Sequence, residues 1–188
     1  KMLFVVSAGN GDAKGIGEDT DQKPDYPSSF DLDNVISVAN LMFDGNLAES
    51  SNYGAKSVDI AAPGTYIVST IANSGYGFMT GTSMSTPMVT GTAAFLYSYR
   101  TDLHLSDIRK VLLETARKIP PLEGKLSSNG MLDVYAALNY GRAAENTAES
   151  AQSGQETQSS GDTAQRESQT TTSKTITAGG GEPIRLGQ

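Results

Sequence analysis

Cysteine is absent from the 188 residues, which excludes disulfides, thiolate nucleophiles and cysteine-ligated zinc, and leaves the redox compartment unreadable. Histidine occurs once, as His104, so chemistry that needs an imidazole has a single candidate. No apolar run approaches the ~20 residues of a membrane span, so this chain carries no transmembrane segment. A basic surplus is missing as well: the net charge is −7, which argues against nucleic acid or an anionic membrane as partner, since both attract a basic face. That charge is silent about a peptide or protein substrate. Large apolar side chains are nearly missing from residues 142–188, where Ser, Thr, Gln, Glu, Ala and Gly dominate and runs such as Thr170–Thr172 and Gly179–Gly181 occur. A segment of that kind buries too little surface to offset its ordering entropy, so a low-complexity, disordered tail is expected there. The tail also explains an overall hydrophobic fraction of only 37%.

Residues 1–141 have the make-up of one domain with a core. Met2 to Val6 is a short continuous apolar run bounded by Ser7-Ala8-Gly9-Asn10-Gly11, as expected of a strand buried on both faces of a parallel sheet. The opening Lys1 followed by apolar residues superficially resembles a signal peptide, but its run is shorter than the ~7–15 residues such a region needs. A first residue other than Met suggests that sequence precedes it. Residues 11–32 read as a solvated acidic loop, with a cation site as the alternative. Further strands are expected at Asn34–Asn40, Val58–Gly64 and Tyr66–Ile71, with a turn at Asp44-Gly45 and a loop over Asn73–Gly77. Asp59, among apolar neighbours, must be paired by hydrogen bonds or act as a metal ligand, because an unpartnered buried carboxylate is costly. A helix should open at Leu105-Ser106-Asp107 with Ser106 as cap, bury Ile108, Val111, Leu112 and Ala116, and stop at Pro120-Pro121. A last short helix should run from Asp133 to Tyr140, with Gly141 at its end. No internal repeat is visible.

The rest of the chain is organised around Gly81-Thr82-Ser83-Met84-Ser85-Thr86-Pro87, which runs into the small, apolar segment Met88–Leu96. Pro87 suits the first turn of a helix beginning near Ser83, and Gly81 lets backbone approach the turn closely. A hydroxyl there sits beside unpartnered backbone N–H groups at the positive end of the helix dipole. The plain alternative is a cap that satisfies those same groups. Gly91, Ala93 and Ala94 favour a helix packed inside a domain, which would put the serine on a central element. Asn10, at the end of the first strand, has two similar readings: a side chain capping a turn, or an amide N–H aimed at a developing oxyanion.

Together these segments resemble the subtilisin-like serine proteases, or subtilases, over roughly residues 3–141. The residues that carry the resemblance are Gly81–Gly91, Val5–Asn10, Tyr26-Pro27, Val35–Val38, Ser51–Gly54, Asp59–Gly64 and Gly130–Val134, in the family's order. The resemblance implies the C-terminal half of an α/β domain: a three-layer arrangement of a parallel sheet with helices on both faces. It makes Ser83 the nucleophile and Asn10 a side-chain donor to the oxyanion, with the Ser83 backbone N–H as the second donor. Ser7, Ala8 and Gly9 would form one wall of the pocket for the substrate side chain before the scissile bond. Met88 stands where the family often has a histidine. No cofactor is implied for the chemistry; structural calcium is implied as a family trait, with Asp59 at a ligand-like position. Secretion or the secretory pathway follows only by analogy.

A serine hydroxyl is a weak nucleophile until an oriented base removes its proton. The family supplies an aspartate and then a histidine, both before the serine in chain order. His104 lies after it and reads as an ordinary loop histidine. The expectation is therefore a serine endopeptidase when intact, with these residues inactive and poorly packed by themselves. Rival readings are a catalytically inactive binding or decoy module, a different serine hydrolase using His104, and a scaffold whose tail is the functional part.

Overall fold

Short apolar runs become the strands of one mainly parallel sheet in the computed structural model, which describes residues 2–141. The strands are β1 (Phe4–Ser7), β2 (Val35–Leu41) and β3 (Ile60–Pro63), followed by the hairpin strands β4 (Ile67–Ile71) and β5 (Gly75–Met79), then β6 (Arg117–Lys118) and β7 (Gly130–Met131). The sheet order is β1-β2-β3-β7-β6, with β4 and β5 forming a separate two-stranded ribbon. β1, β2, β3 and β7 are parallel, in register Phe4 opposite Val35, Val38 opposite Ile60 and Ala61 opposite Met131. β6 closes the far edge antiparallel to β7. Every residue of the central strand β2 is buried, as a near-continuous apolar run in a parallel sheet requires.

Among the described residues there are three α-helices: α1 (Thr82–Tyr99) and α2 (Leu105–Glu114) between β5 and β6, and α3 (Val134–Leu138) after β7. Side chains alternate across the sheet with period two, so Ile36, Val38, Ile60 and Ala62 meet Val89, Ala93 and Leu96 of α1, Ile108, Val111 and Leu112 of α2, and Ala137 of α3. On the opposite face Ala8, Ala39, Leu41 and Ala61 pack against Val58, Leu122 and Leu126, with Leu47 and Ile119 beside them. Among the described residues the α-helices therefore line one face, and loops with a 3-10 turn at Pro120–Leu122 cover the other.

Several boundaries differ from expectation for identifiable reasons. The loop expected at 73–77 is half strand, because Asn73 and Ser74 take positive φ of 63° and 59° and turn β4 back onto β5. Such a turn matches the twist of a hairpin. His104, not Ser106, precedes α2, and its backbone N–H donates to Asp107 Oδ2 at 2.9 Å. α2 stops at Glu114, before the prolines, since Arg117 and Lys118 are taken up pairing with Met131 and Gly130. α3 does start after Asp133, whose Oδ1 accepts from Ala136 N at 2.9 Å, but it ends at Leu138. α1 is buried only on the side toward the sheet, and Met88, Phe95, Tyr97 and Tyr99 are exposed, in keeping with residues expected to be poorly packed by themselves. The tail expected over 142–188 lies outside the described residues.

Candidate active site

β1 ends at Ser7, and the chain continues through buried Ala8 to Gly9, with φ of 104°, before reaching Asn10. Asn52, itself buried, braces this turn. Its Nδ2 donates to Ala8 O at 3.0 Å, and its Oδ1 accepts from Gly11 N at 3.0 Å and Glu18 N at 2.9 Å. Its backbone N–H donates to Gly9 O at 3.0 Å. A Cβ on Gly9 would stand 2.4 Å from Asn52 Nδ2, so glycine is required both by the left-handed backbone and by the brace. Ser7, Ala8 and Gly9 thus form a fixed strand end leading to Asn10.

The second component arrives from β5. Gly81 precedes α1 with φ of 156° and ψ of 166°, a region open essentially to glycine. Its N–H donates to Gly64 O at 2.9 Å, tying the turn to the end of β3. Gly64 is itself pressed from above: a Cβ there would meet Ser85 Oγ at 2.0 Å, Asn40 Oδ1 at 2.6 Å and Gly81 O at 2.7 Å. Ser85 Oγ and Asn40 Nδ2 are buried without a hydrogen-bond partner among the described residues, while Asn40 Oδ1 accepts from Thr65 Oγ1 at 3.1 Å.

The two components are joined through Thr82, the first residue of α1. Asn10 Oδ1 accepts from Thr82 N at 2.9 Å and from Thr82 Oγ1 at 3.0 Å. A backbone N–H can only donate, so the atom facing it must be the amide oxygen. The Nδ2 end of Asn10 is thereby turned away from Thr82, and it has no acceptor among the described residues. Ser83, the next residue, is exposed, and its backbone N–H also has none. Two uncommitted donors on adjoining elements, beside an accessible hydroxyl at the start of an 18-residue helix, suit a negative charge developing on a bound carbonyl oxygen.

Thr82 and Asn52 were not singled out in the sequence. Thr82 lies inside the serine motif and Asn52 inside Ser51–Gly54, but their roles depend on partners 72 and 44 residues away. His104 is exposed beyond the far end of α1, and from Ser83 to Tyr99 the helix alone spans roughly 24 Å at ~1.5 Å per residue. Asp59 takes the hydrogen-bonded alternative. Its Oδ1 accepts from Arg109 Nη2 at 2.7 Å and Ser127 Oγ at 3.1 Å, and its Oδ2 from Ser37 N at 2.9 Å. A guanidinium and two further donors on one carboxylate do not fit a calcium ligand, which must offer free oxygen to the cation. Among the described residues no group of three or more His, Cys, Asp or Glu side chains is placed to hold a metal ion, and no helix is long and apolar enough to cross a membrane.

Comparison with known proteins settles the family. The family model of the subtilases matches residues 1–133. The chain belongs to the subtilase family. It is 33% identical over 155 residues to the major intracellular serine protease of Bacillus subtilis, covering 80% of this chain and 44% of that protein. It is 48% identical over 96 residues to subtilisin-like protease 2 of Plasmodium falciparum, covering 51% of this chain and 7% of that one. Among solved structures it is similar to the A-subunit of the AB5 toxin from E. coli, with TM-score 0.64 and 26% identity over 73% of this chain and 50% of that one. It is likewise similar to the epidermin leader peptide processing serine protease of Staphylococcus aureus, with TM-score 0.60 and 28% identity over 73% of this chain and 40% of that one. The chain thus spans less than half the length of these curated relatives and half or less of these two solved structures.

Proposed function

We propose that this chain supplies the nucleophile and oxyanion-binding part of a serine endopeptidase acting on peptide or protein substrates. Ser83 Oγ attacks the scissile carbonyl carbon, and its proton passes to a base outside the described residues. The carbonyl oxygen becomes an oxyanion held by the Ser83 backbone N–H and Asn10 Nδ2. The carbon–nitrogen bond then breaks, the leaving amine takes the proton, and water hydrolyses the acyl ester on Ser83. Ser7, Ala8 and Gly9 form one wall of the pocket for the side chain preceding the scissile bond. The observation that carries the proposal is the pair of hydrogen bonds from Thr82 to Asn10 Oδ1, because it fixes the amide with its donor end uncommitted next to Ser83.

By the same reasoning the chain alone is inactive, since a serine without a base is not a competent nucleophile. A catalytically inactive binding or decoy module is the reading that would replace this one if no base is ever supplied. Relatives named as intracellular and as extracellular proteases both match this chain, so membership of the family does not favour one compartment. The test is kinetic, on the intact peptidase. Ser83→Ala should abolish the acyl-enzyme burst. Asn10→Ala should lower kcat by about 10²–10³ with little change in KM, a magnitude known for this donor in a subtilisin and taken over by family. A full burst from Ser83→Ala, or an Asn10→Ala effect confined to KM, would overturn the reading.

A further inference from the structure

Asp25 brings a carboxylate to the wall that Ser7, Ala8 and Gly9 offer a substrate side chain. The space beside Gly9 lies between Asn52 and Asp25, since a Cβ there would stand 2.4 Å from Asn52 Nδ2 and 2.9 Å from Asp25 Oδ2. The two neighbours differ in what they have left to offer. Asn52 is spent on its brace, donating from Nδ2 to Ala8 O at 3.0 Å. The Asp25 carboxylate has no hydrogen bond or ion pair among the described residues. Lys23, two residues before it, is already engaged, with its ammonium 2.5 Å from Glu18 Oε1.

The backbone that carries Asp25 is fixed. Its N–H donates to Ser29 Oγ at 3.1 Å, and its carbonyl oxygen accepts from Ser28 Oγ and from Ser29 N, both at 2.8 Å. Residues 11–32 read as a solvated acidic loop in sequence, and Asp25 is exposed. A carboxylate rooted by three hydrogen bonds nevertheless presents its charge at one place, so a ligand that meets it there has less ordering to offset.

The chemistry of the occupant follows from that charge. Gly9 precedes Asn10, whose Nδ2 is the proposed donor to the oxyanion, so a substrate with its reacting carbonyl at Asn10 lays the side chain before the scissile bond along Ala8 and Gly9. An acidic side chain there would meet a like charge. A large apolar one would strip water from the Asp25 carboxylate without replacing its hydrogen bonds, which is costly. A long side chain with a cationic head avoids both: its methylene stem covers the backbone wall, and its head gives the carboxylate a charge-assisted hydrogen bond.

We infer that Asp25 is a specificity-determining residue and that this peptidase cleaves after lysine or arginine. The inference rests on the proposed roles of Ser83 and Asn10 and adds the substrate class to them.

The experiment uses the intact peptidase and peptides that differ only in the residue before the scissile bond: Lys, Arg, Met or Glu. Met is unbranched like Lys but uncharged. kcat/KM for Lys and Arg should exceed that for Met at least tenfold, with Glu lowest. Asp25→Asn should lower the Lys-to-Met ratio by about 10–100-fold, the worth of a hydrogen bond between charged groups, and Asp25→Lys should favour Glu over Lys. A ratio is not moved by a general loss of folded enzyme. Affinities of the same peptides for the Ser83→Ala form, read by calorimetry, should show the same order without turnover. A wild-type preference below tenfold in both turnover and binding, or one that Asp25→Asn leaves in place, would overturn the inference. Ser83-dependent turnover without that preference would leave the proposed function standing. Preferential binding of Lys that Asp25→Asn abolishes, in a peptidase without turnover, would count against the proposed function and leave the role of Asp25 standing.

Discussion

α1 and α2 pack on the same side of the same sheet, yet only one of them is finished on its outer side. α2 buries Ile108, Val111 and Leu112 and turns Asp107, Arg109, Lys110 and Glu114 elsewhere. Arg109 reaches Asp59, and Lys110 stands 3.9 Å from Glu114 one turn on. α1 buries a comparable apolar stripe but offers water no charge at all. The two edges of the sheet repeat the contrast. β6 is two residues long and consists of Arg117 and Lys118, the short and charged form of edge that resists further pairing. β1 presents Phe4-Val5-Val6-Ser7, with Phe4 47% exposed and no strand beyond it among the described residues. The difference teaches where this chain meets water as a finished surface, at α2 and β6, and where it presents core-like surface instead, at α1 and β1.

The contrast can be broken by substitution, and the largest effect should come from the inner side of α1. Leu96→Ala, at a fully buried position, should cost about 2–5 kcal/mol by denaturant unfolding, whereas Phe95→Ala next to it should cost less than about 1 kcal/mol. Equal costs would mean that the outer stripe is already packed. On α2, Arg109→Ala should cost about 1.5–3 kcal/mol, the worth of a hydrogen bond to a charged group, by leaving the buried Asp59 carboxylate without its ion pair.

The pH dependence at Asp59 sharpens that expectation. Burial pushes the Asp59 carboxyl above its ordinary 3.8, outweighing the opposing Ser37 N–H and Arg109 guanidinium. The folded chain therefore holds this proton more tightly than the unfolded chain does. Stability from this group is greatest at acid pH and falls as the pH rises from about that ordinary value through the raised one. Removing Arg109 should move the loss to higher pH and deepen it, which denaturant midpoints measured across pH would report. The smallest effect should be a gain: Gly91→Ala is expected to stabilise the isolated chain by up to about 1 kcal/mol. A loss there would reveal a neighbour at Gly91 within the chain itself.

Much of the parallel sheet was legible because its strands are short apolar runs closed by Gly, Pro or Asn, as at Val35–Leu41 and Ile60–Pro63. The serine stretch was legible through its own length, since Gly81, Ser83 and Pro87 constrain one another. What could not be read depends on distant partners. β5 was hidden because Gly75 and Gly77 interrupt the alternation by which a strand is recognised. Arg109 gives no local sign that it pairs with Asp59, fifty residues earlier. The Thr82 clamp on Asn10 joins the loop after β1 to the first residue of α1, which become neighbours only once β1 and α1 pack together. The exposure of α1 agrees with the expectation that these residues are poorly packed by themselves. Its sequence is that of a helix buried on all sides, and the described residues cover only one of them.

The most direct measurement is mass-spectrometric detection of a fluorophosphonate adduct on Ser83, in this chain alone and in the intact peptidase. The expected result is no adduct in the chain alone and stoichiometric adduct on Ser83 in the intact peptidase, lost in Ser83→Ala. An equal adduct in the chain alone, removed by His104→Ala, would contradict the claim that the base lies outside these residues; absence of adduct in the intact peptidase would contradict Ser83 as the nucleophile.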